Sequence, residues 1–451
     1  MSILERYCEK LSNYSERNAF FVGGVYFKYS DLVFAIEKER NNLINYGVKN
    51  GDIVYLVGDY SIKAISLFLA LALNKNIIVP IATEIDDELN QRINVLSPDW
   101  TINIRNNTFE QNTISAELLH HELIQNIKNK FVSGLVLFSS GSTGLPKAMI
   151  HDLDNLIDVY LERKTKSLNF LVFLMFDHIG GINTLLNCLS IGATLTIPTH
   201  RNPDHICELI ENTEINVLPA SPTFLNLMLF SRSYEKFDLS SLIMITYGTE
   251  TMPVSLLDKL KKIFPKVKFL QTFGTSETGI AKTISLSSTS TFVKIDDPDQ
   301  EFKVVNGELW LRSKTQIMGY INHSNESFTT DGWFKTGDLV EEGENGYIKI
   351  IGRTKEVINV GGEKVMPAEV ESVILELIWV KDCVVAGQAN IISGQMVTAQ
   401  VCIEDGLDHI VAKSEIRKYC KNRLEAYKVP AKVIIVDTVN FSNRFKKLRN
   451  N

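Results

Sequence analysis

Phe138-Ser-Ser-Gly-Ser-Thr-Gly-Leu-Pro-Lys147 is the stretch on which the reading of this chain turns. Four hydroxyl side chains (Ser139, Ser140, Ser142, Thr143), two glycines (Gly141, Gly144) and Lys147 follow the apolar run Leu135-Val136-Leu137-Phe138. A loop of that composition turns several backbone N–H groups and one cation toward a polyanion, and a triphosphate is the obvious candidate. The glycines allow close backbone approach and positive φ, while Pro146 stiffens the exit toward Lys147. The spacing is not that of the loop in which Gly-Lys-Ser/Thr follows four intervening residues. Apolar residues resume at Ala148-Met149-Ile150, which predicts strand, loop, strand. Alone, such a cluster is more often an ordinary turn. The lysine at its end and the motifs downstream reverse that balance.

A chain of 451 residues exceeds one ordinary core, so two or more domains are expected. Its 45% hydrophobic and 22% charged content are those of a soluble globular protein. A net charge of −6 argues against nucleic acid as the main partner. The longest apolar helical run, Ala64 to Leu73, is too short to span a bilayer, so no membrane span is expected. The start of the chain lacks a signal-peptide pattern, and we expect no secretion. Cys8, Cys188, Cys207, Cys383, Cys402 and Cys420 lie far apart without a Cys-x-x-Cys pair. They read as reduced thiols of a cytoplasmic protein, with neither zinc nor disulfide implied.

Residues 30 to 81 alternate helical and strand patterns. Ser30 is expected to cap a helix that stops at Gly47; Ile53 to Val57 reads as a strand, Ser61 to Leu73 as a helix and Ile77 to Ile81 as a strand. Further strands are expected at Leu171–Leu174, Ala193–Ile197, Val217–Leu218 and Leu242–Thr246. That order predicts an α/β fold, a large N-terminal domain of helix-packed sheets. The polar stretch Ser287 to Asp299 reads as a surface connection. Composition shifts near Gly352. Beyond it the pattern predicts strand (Val357–Val360), helix (Pro367–Val380), strands (Cys383–Ala386, Met396–Ile403), helix (Ile410–Leu424) and strand (Lys432–Val436). Pro367 suits a first helical turn, and Glu369 and Glu371 its positive dipole end. This is a small C-terminal α+β domain. We place the N-terminal domain at 1–352, a hinge at 353–355 and the mobile C-terminal domain at 356–451.

Four more segments carry chemistry: Gln271-Thr-Phe-Gly-Thr-Ser-Glu-Thr-Gly279, Trp333-Phe-Lys-Thr-Gly-Asp-Leu339, Gly352-Arg-Thr-Lys-Glu356 leading to Ile358-Asn-Val-Gly-Gly-Glu-Lys-Val365, and the basic tail Asn443-Arg-Phe-Lys-Lys-Leu-Arg449. In this order and spacing they resemble the adenylate-forming superfamily of acyl- and aryl-CoA synthetases, luciferases and peptide-synthetase adenylation domains. The resemblance covers nearly the whole chain. It implies that Ser139, Ser140, Gly141, Ser142, Thr143, Gly144 and Lys147 hold the ATP phosphates, and that Ser276 touches the α-phosphate. Ala148 stands where the family's loop ends in glycine. Glu277 would help bind Mg²⁺, which takes one or two carboxylates plus phosphate oxygens. Phe273 would flank the adenine, with Gly248, Thr249 and Glu250 lining adenine and acyl group, and Asp338 and Arg353 would contact the ribose. His178, Gly180 and Gly181 would border the acyl pocket, His178 gating the route to the thiol. Lys446 would bridge substrate carboxylate and α-phosphate, Lys355 would be the hinge, and Gly361-Gly362 would line the thiol tunnel. Residue by residue, bland readings compete: solvated loop acids for Glu277 and Asp338, core for Phe273, a weak ion pair for Arg353, a structural histidine for His178, a turn for Gly361-Gly362.

The implied reaction activates a small carboxylic acid with ATP, releasing pyrophosphate, and passes the acyl group to a thiol, of CoA or of the phosphopantetheine on an acyl carrier protein. Its barrier is mainly charge repulsion between a carboxylate and a polyanionic nucleotide, so fixed cations carry the catalysis. Two departures stand out. Asn440 and Phe445 replace the proline and glycine of the family's lysine motif, which leaves Lys447 as an alternative to Lys446 and admits a degenerate nucleotide-binding homologue. Phe176-Asp-His-Ile-Gly-Gly181 reads as His-x-Gly-Gly, as in CoA synthetases, or as Phe-Asp, as in amino-acid adenylation domains that load a carrier, where the Asp pairs with the substrate ammonium. The fuller His-x-Gly-Gly register favours the first. A luciferase-like oxygenase has no positive feature in the chain.

Overall fold

The computed structural model describes residues 1–83, 85–112, 121–139, 146–441 and 447–449. Two seven-stranded sheets form the bulk of the chain, the first mostly parallel, the second parallel in its middle and antiparallel at both edges. One runs Lys268–Gln271, Met244–Tyr247, Val217–Ala220, Asn169–Leu171, Thr194–Thr196, Asn18–Val22, Val25–Lys28; the other runs Gly319–Tyr320, Lys147–Asp152, Gly134–Ser139, Ile77–Ile81, Ile53–Val57, Trp100–Asn103, Thr108–Gln111. The helices that link parallel strands lie on the sheet faces, as crossover connections require. Ile62–Leu73 is buried almost all round because it lies within the largest core, which also takes Leu4, Phe20, Leu185 and Leu189. A six-stranded antiparallel sheet follows, from Thr283–Ser285 through Val293–Ile295, Ile348–Arg353, Phe334–Glu342 and Glu308–Ser313 to Gln300–Val305.

The fold is the expected α/β arrangement of a large N-terminal and a small C-terminal part. The two strands expected around the signature stretch are present: Gly134–Ser139 and Lys147–Asp152 pair antiparallel with Ser139 opposite Lys147. Ser61 caps its helix as expected, its hydroxyl accepting from the Ala64 N–H. Ser30 does not cap. The helix is Tyr29–Tyr46, and Asp31 instead accepts from the Lys28 N–H at 2.7 Å, while Gly47 closes the other end at φ +83°. The polar 287–299 stretch is not wholly surface connection. Val293–Ile295 pairs into the antiparallel sheet and buries Val293 and Ile295, a strand too short to leave a period in the sequence.

Between Arg353, the last residue of one sheet, and Ile358, the first of the next, lies the 3-10 turn Thr354–Glu356 with Lys355 exposed. The small C-terminal sheet comprises Glu363–Val365, Ile358–Val360, Gly394–Ile403 and Val380–Asn390, with Lys432–Ile435 parallel beside Gly394–Ile403. Helices Pro367–Ile374 and His409–Lys421 contribute Val370, Ile374, Ile416 and Cys420 to its core. The first helix is shorter than the expected Pro367–Val380, because Val380 already opens a strand. Side chains of the large unit tie to the backbone of this one: Asn226 donates to the Lys381 carbonyl at 3.0 Å, Ser255 to the Ser372 carbonyl at 3.1 Å and Lys259 to the Leu375 carbonyl at 2.7 Å. Lys259 thereby sets a cation on the carbonyl end of the Pro367–Ile374 helix.

Candidate active site

Three parallel strands end side by side, with Ala220 opposite Tyr247 and Tyr247 opposite Gln271. Their carboxyl ends therefore deliver Ser221-Pro222-Thr223, Gly248-Thr249-Glu250 and Thr272-Phe273 to one edge, where open α/β sheets place their ligands. Gly248 has to be glycine, since a Cβ would stand 2.7 Å from Thr272 Oγ1 and 2.9 Å from its carbonyl oxygen. Thr249 takes φ +70°, a sparsely populated region for a β-branched residue and one that marks functional turns. Phe273 is only 8% exposed and packs among Val293, Leu309 and Val340, so most of its ring is core.

Phe273–Thr275 and Gly279–Ala281 form a hairpin whose three-residue tip is Ser276-Glu277-Thr278. Gly279 at φ +78° supplies the left-handed residue that such loops need, and Thr275 Oγ1 accepts from the Thr278 N–H at 3.1 Å. The tip holds Ser276 and Glu277 outward on a rigid base. Strand Gly319–Tyr320 adds to the edge of Lys147–Asp152 with Tyr320 opposite Met149. Since side chains alternate, Tyr320 shares a face with Lys147. The Tyr320 hydroxyl donates to Glu277 Oε1 at 2.8 Å, and Lys147 Nζ lies 5.8 Å from the same ring's centroid. Burial and the Glu277 carboxylate push the Tyr320 phenol well above its ordinary range, so it remains a donor. Three segments far apart in sequence thus converge on one tyrosine. Asn322 pins the loop exit, accepting from the Ala148 N–H and donating to the Pro146 carbonyl, both at 2.9 Å.

Asp338 and Arg353 are cross-strand partners, and Arg353 Nε donates to Asp338 Oδ1 at 3.0 Å. Asp338 is 5% exposed, while the guanidinium remains more than a third exposed, so the pair offers one face outward. His178 caps the helix Ile179–Ile191 with Nδ1 accepting from the Gly180 N–H at 3.0 Å. The neutral ring then carries its proton on Nε2. Gly181 is required by packing, because a Cβ would come within 2.1 Å of the Met175 carbonyl oxygen. At Gly180 the obstacle is Leu174 Cδ1, 2.6 Å away. Asp177 is engaged from within: Arg92 Nη1 meets its Oδ2 at 3.1 Å.

Ser140, Gly141, Ser142, Thr143, Gly144 and Lys446 lie outside the described residues. Ser139 and Lys147, at the two mouths of the loop, and residues 447–449, just past Lys446, are described. The Lys447 N–H donates to Glu250 Oε1 at 2.6 Å, whose Oε2 accepts from the Thr223 hydroxyl at 2.6 Å. Glu250 is thus a post on which the C-terminal tail docks. Lys447 Nζ itself is buried against Asp382 at 2.8 Å and the Cys383 carbonyl at 2.7 Å. Arg449 reaches Glu371 at 3.0 Å and Glu356, beside Lys355, at 3.6 Å. Gly361 and Gly362 form a two-residue hairpin turn at φ +60° and +96°, and Gly361 N–H donates to Ser393 on the small unit's own sheet. In this arrangement the tail abuts the strand ends while the glycine turn faces its own domain.

The sequence gives no individual role to Arg92, Thr223, Asn322 or Tyr320. Each acts through a partner more than twenty positions away, and no local pattern announces that. A cavity of about 330 Å³ between the helices Leu153–Leu161 and Ile179–Ile191 and the strand Gly279–Ala281 holds none of the site residues above. Among the described residues no three His, Cys, Asp or Glu side chains form a ready metal cage, and no helix is long and apolar enough to cross a membrane.

Comparison with known proteins gives the family of both parts of the chain. The profile of the AMP-binding enzyme family matches residues 8–321, and that of the AMP-binding enzyme C-terminal domain matches 369–446. Acyl-CoA synthetase 7 of Caenorhabditis elegans is 30% identical over 372 residues, 74% of this chain and 68% of that protein. A 2-succinylbenzoate–CoA ligase of Listeria monocytogenes is 26% identical over 315 residues, 67% of this chain and 66% of its own length. The chain therefore spans about two thirds of the relatives it matches. The crystal structure of the anthranilate CoA ligase AuaEII with anthranoyl-AMP superposes with a TM-score of 0.83 at 18% identity, covering 99% of this chain and 95% of that one.

Proposed function

This chain belongs to the AMP-binding enzyme family, and we propose that it activates a small carboxylic acid as its acyl adenylate and transfers the acyl group to a thiol. The observation that carries the reading is the meeting of Lys147, Tyr320 and Glu277, a phosphate-loop cation and a hairpin-tip carboxylate held at one phenol. ATP is the co-substrate, with its phosphates between Ser139 and Lys147 and at Ser276, its ribose on Asp338–Arg353 and its adenine beside Gly248-Thr249 and the rim of Phe273.

A lone carboxylate suits Mg²⁺, which completes its shell with nucleotide oxygens and water, and Glu277 is the residue that would hold it. When bound, that ion supplies charge neutralisation across the phosphates. The protein's own part is electrostatic and positional. Lys147 draws off charge from the leaving pyrophosphate, Tyr320 fixes Glu277, and Lys446, the residue before the docked Lys447, offsets the repulsion between acid and α-phosphate. No general base is needed, since carboxylic acids are ionised near neutral pH. For the thiol step we propose that the 356–451 domain swings about Lys355, withdrawing Lys446 and bringing Gly361-Gly362 to the acyl carbonyl. CoA, or phosphopantetheine on a carrier protein, is the proposed acceptor. Six unpaired cysteines accord with a cytoplasmic location. ATP–pyrophosphate exchange over a panel of acids, followed by thioester formation with CoA, tests the reading. Nucleotide binding without exchange for any acid would reduce the chain to a nucleotide-binding homologue.

A further inference from the structure

The cavity between the helices Leu153–Leu161 and Ile179–Ile191, about 330 Å³, is of a size that small-molecule sites have. Its apolar wall comes from Leu156 on the first helix, Ile179, Ile182 and Leu186 on the second, and Ile280 on the strand Gly279–Ala281. The three residues of the second helix, at i, i+3 and i+7, share one face. Gly180 and Gly181 look elsewhere, toward Leu174 and the Met175 carbonyl, so the cavity lies off a different side of that helix. Its frame is fixed. Lys314 Nζ meets Asp158 at 2.7 Å, which fastens the 313–315 segment to the first helix, and the Tyr160 hydroxyl donates to Asn183 at 2.5 Å, which joins the two helices. Thr315, in the same wall, donates to the carbonyl of Thr278 in the hairpin tip at 2.9 Å.

One group in this wall is unsatisfied. Gln300 is 7% exposed, and neither Nε2 nor Oε1 of its amide has a hydrogen-bond partner among the described residues. Buried amides are nearly always paired, because removing one from water without a replacement partner is costly. The last torsion of a glutamine is soft, so the amide can turn to meet a molecule seated against the wall. It offers donors and an acceptor side by side. A carboxylate only accepts and an ammonium only donates, whereas a second carboxamide does both at once. The rim favours neither sign of charge: Arg163 and Lys282 share it with Asp297 and Asp299, and Glu162 is already paired with Arg6 at 3.1 Å. We propose that this cavity is a second small-molecule site, taking an uncharged amphipathic amide whose head pairs with Gln300 and whose apolar body lies against Ile182, Leu186 and Ile280. The site goes beyond the acid-activating reading and does not depend on it.

Calorimetric titration with octanamide, and displacement of it by octanoate and by 1-aminooctane, sets one apolar body under three heads. The wild type is expected to bind one octanamide, with the two charged compounds displacing it about 10-fold less well or worse. Gln300→Met keeps the volume and removes the unpaired amide. It should weaken octanamide about 10-fold and raise the melting temperature of the unliganded protein. Val159→Trp, which sets a large ring into the cavity from its first helix, should abolish binding in a protein that still melts cooperatively. No octanamide binding to the wild type, an unchanged affinity in Gln300→Met, or a lower melting temperature in that variant overturns the proposal. Competition between octanamide and the acid in pyrophosphate exchange would place the amide in the acid's own pocket, and overturns it too. Octanamide binding through Gln300 in a protein that exchanges with no acid would keep this site while the adenylation reading falls.

Discussion

Glu250 offers the sharpest test of how the two domains cooperate. Its carboxylate accepts from the Lys447 N–H at 2.6 Å and from Thr223 at 2.6 Å, so it joins the tail that carries Lys446 to the first turn of the helix Pro222–Phe230. Replacement by alanine deletes a hydrogen bond to a charged group, worth about 1.5–3 kcal/mol. At about 1.4 kcal/mol per factor of ten, the tail-docked arrangement should lose roughly 10- to 150-fold in its equilibrium constant. Asn226, Ser255 and Lys259 still hold the domains together, so the loss falls on the tail and not on the whole interface. We expect kcat for pyrophosphate exchange to fall toward that range in Glu250→Ala, and less in Glu250→Gln, which keeps a neutral acceptor. Single-turnover transfer from preformed acyl adenylate to CoA should stay within about twofold, because the proposed swing takes the tail away from Glu250 in that step. Equal losses in both half-reactions would refute the reasoning. So would an intact kcat with a raised KM for ATP, which would make Glu250 an adenine contact.

Three further outcomes follow from the same geometry. Lys446→Ala should abolish exchange with little change in melting temperature, whereas Lys447→Ala strands buried Asp382 and should destabilise the small domain by about 3–5 kcal/mol, read by calorimetry; the opposite pattern would move the catalytic role to Lys447. Tyr320→Phe leaves Lys147 over an aromatic ring but frees Glu277, and it should raise the Mg²⁺ concentration at half-maximal exchange with little effect at saturating metal; an unchanged Mg²⁺ dependence would refute a metal role for Glu277. His151, fully buried near the backbone of Ser276 and Thr315, is pushed by burial down to about 4. The unfolded chain binds this proton first, so stability is flat above the ordinary histidine range and falls with acid, by about 2 kcal/mol at pH 5 relative to pH 7. Urea midpoints should show that loss in the wild type and a correspondingly smaller one in His151→Gln.

Much of this protein was legible from its residues alone. The stretch from Phe138 to Lys147 announced a strand on either side of it, because the apolar runs before Ser139 and after Lys147 are interrupted by hydroxyls and glycines. Ser61, Gly47 and the apolar periods around them fixed nearby helix ends, since capping and turn chemistry act within four residues. The hairpin tip carrying Ser276 and Glu277 was recognisable by its order in the chain, although its shape was not. What local chemistry could not decide was pairing. Only the folded sheets set Tyr320 beside Lys147 and Glu277, turned Glu250 into a post for the tail, buried Lys447 against Asp382 and spent the charge of Asp177 on Arg92. The physical reason is range: propensities and caps are encoded within a turn or two, whereas a charge finds its partner through strand order and helix packing that no single segment specifies.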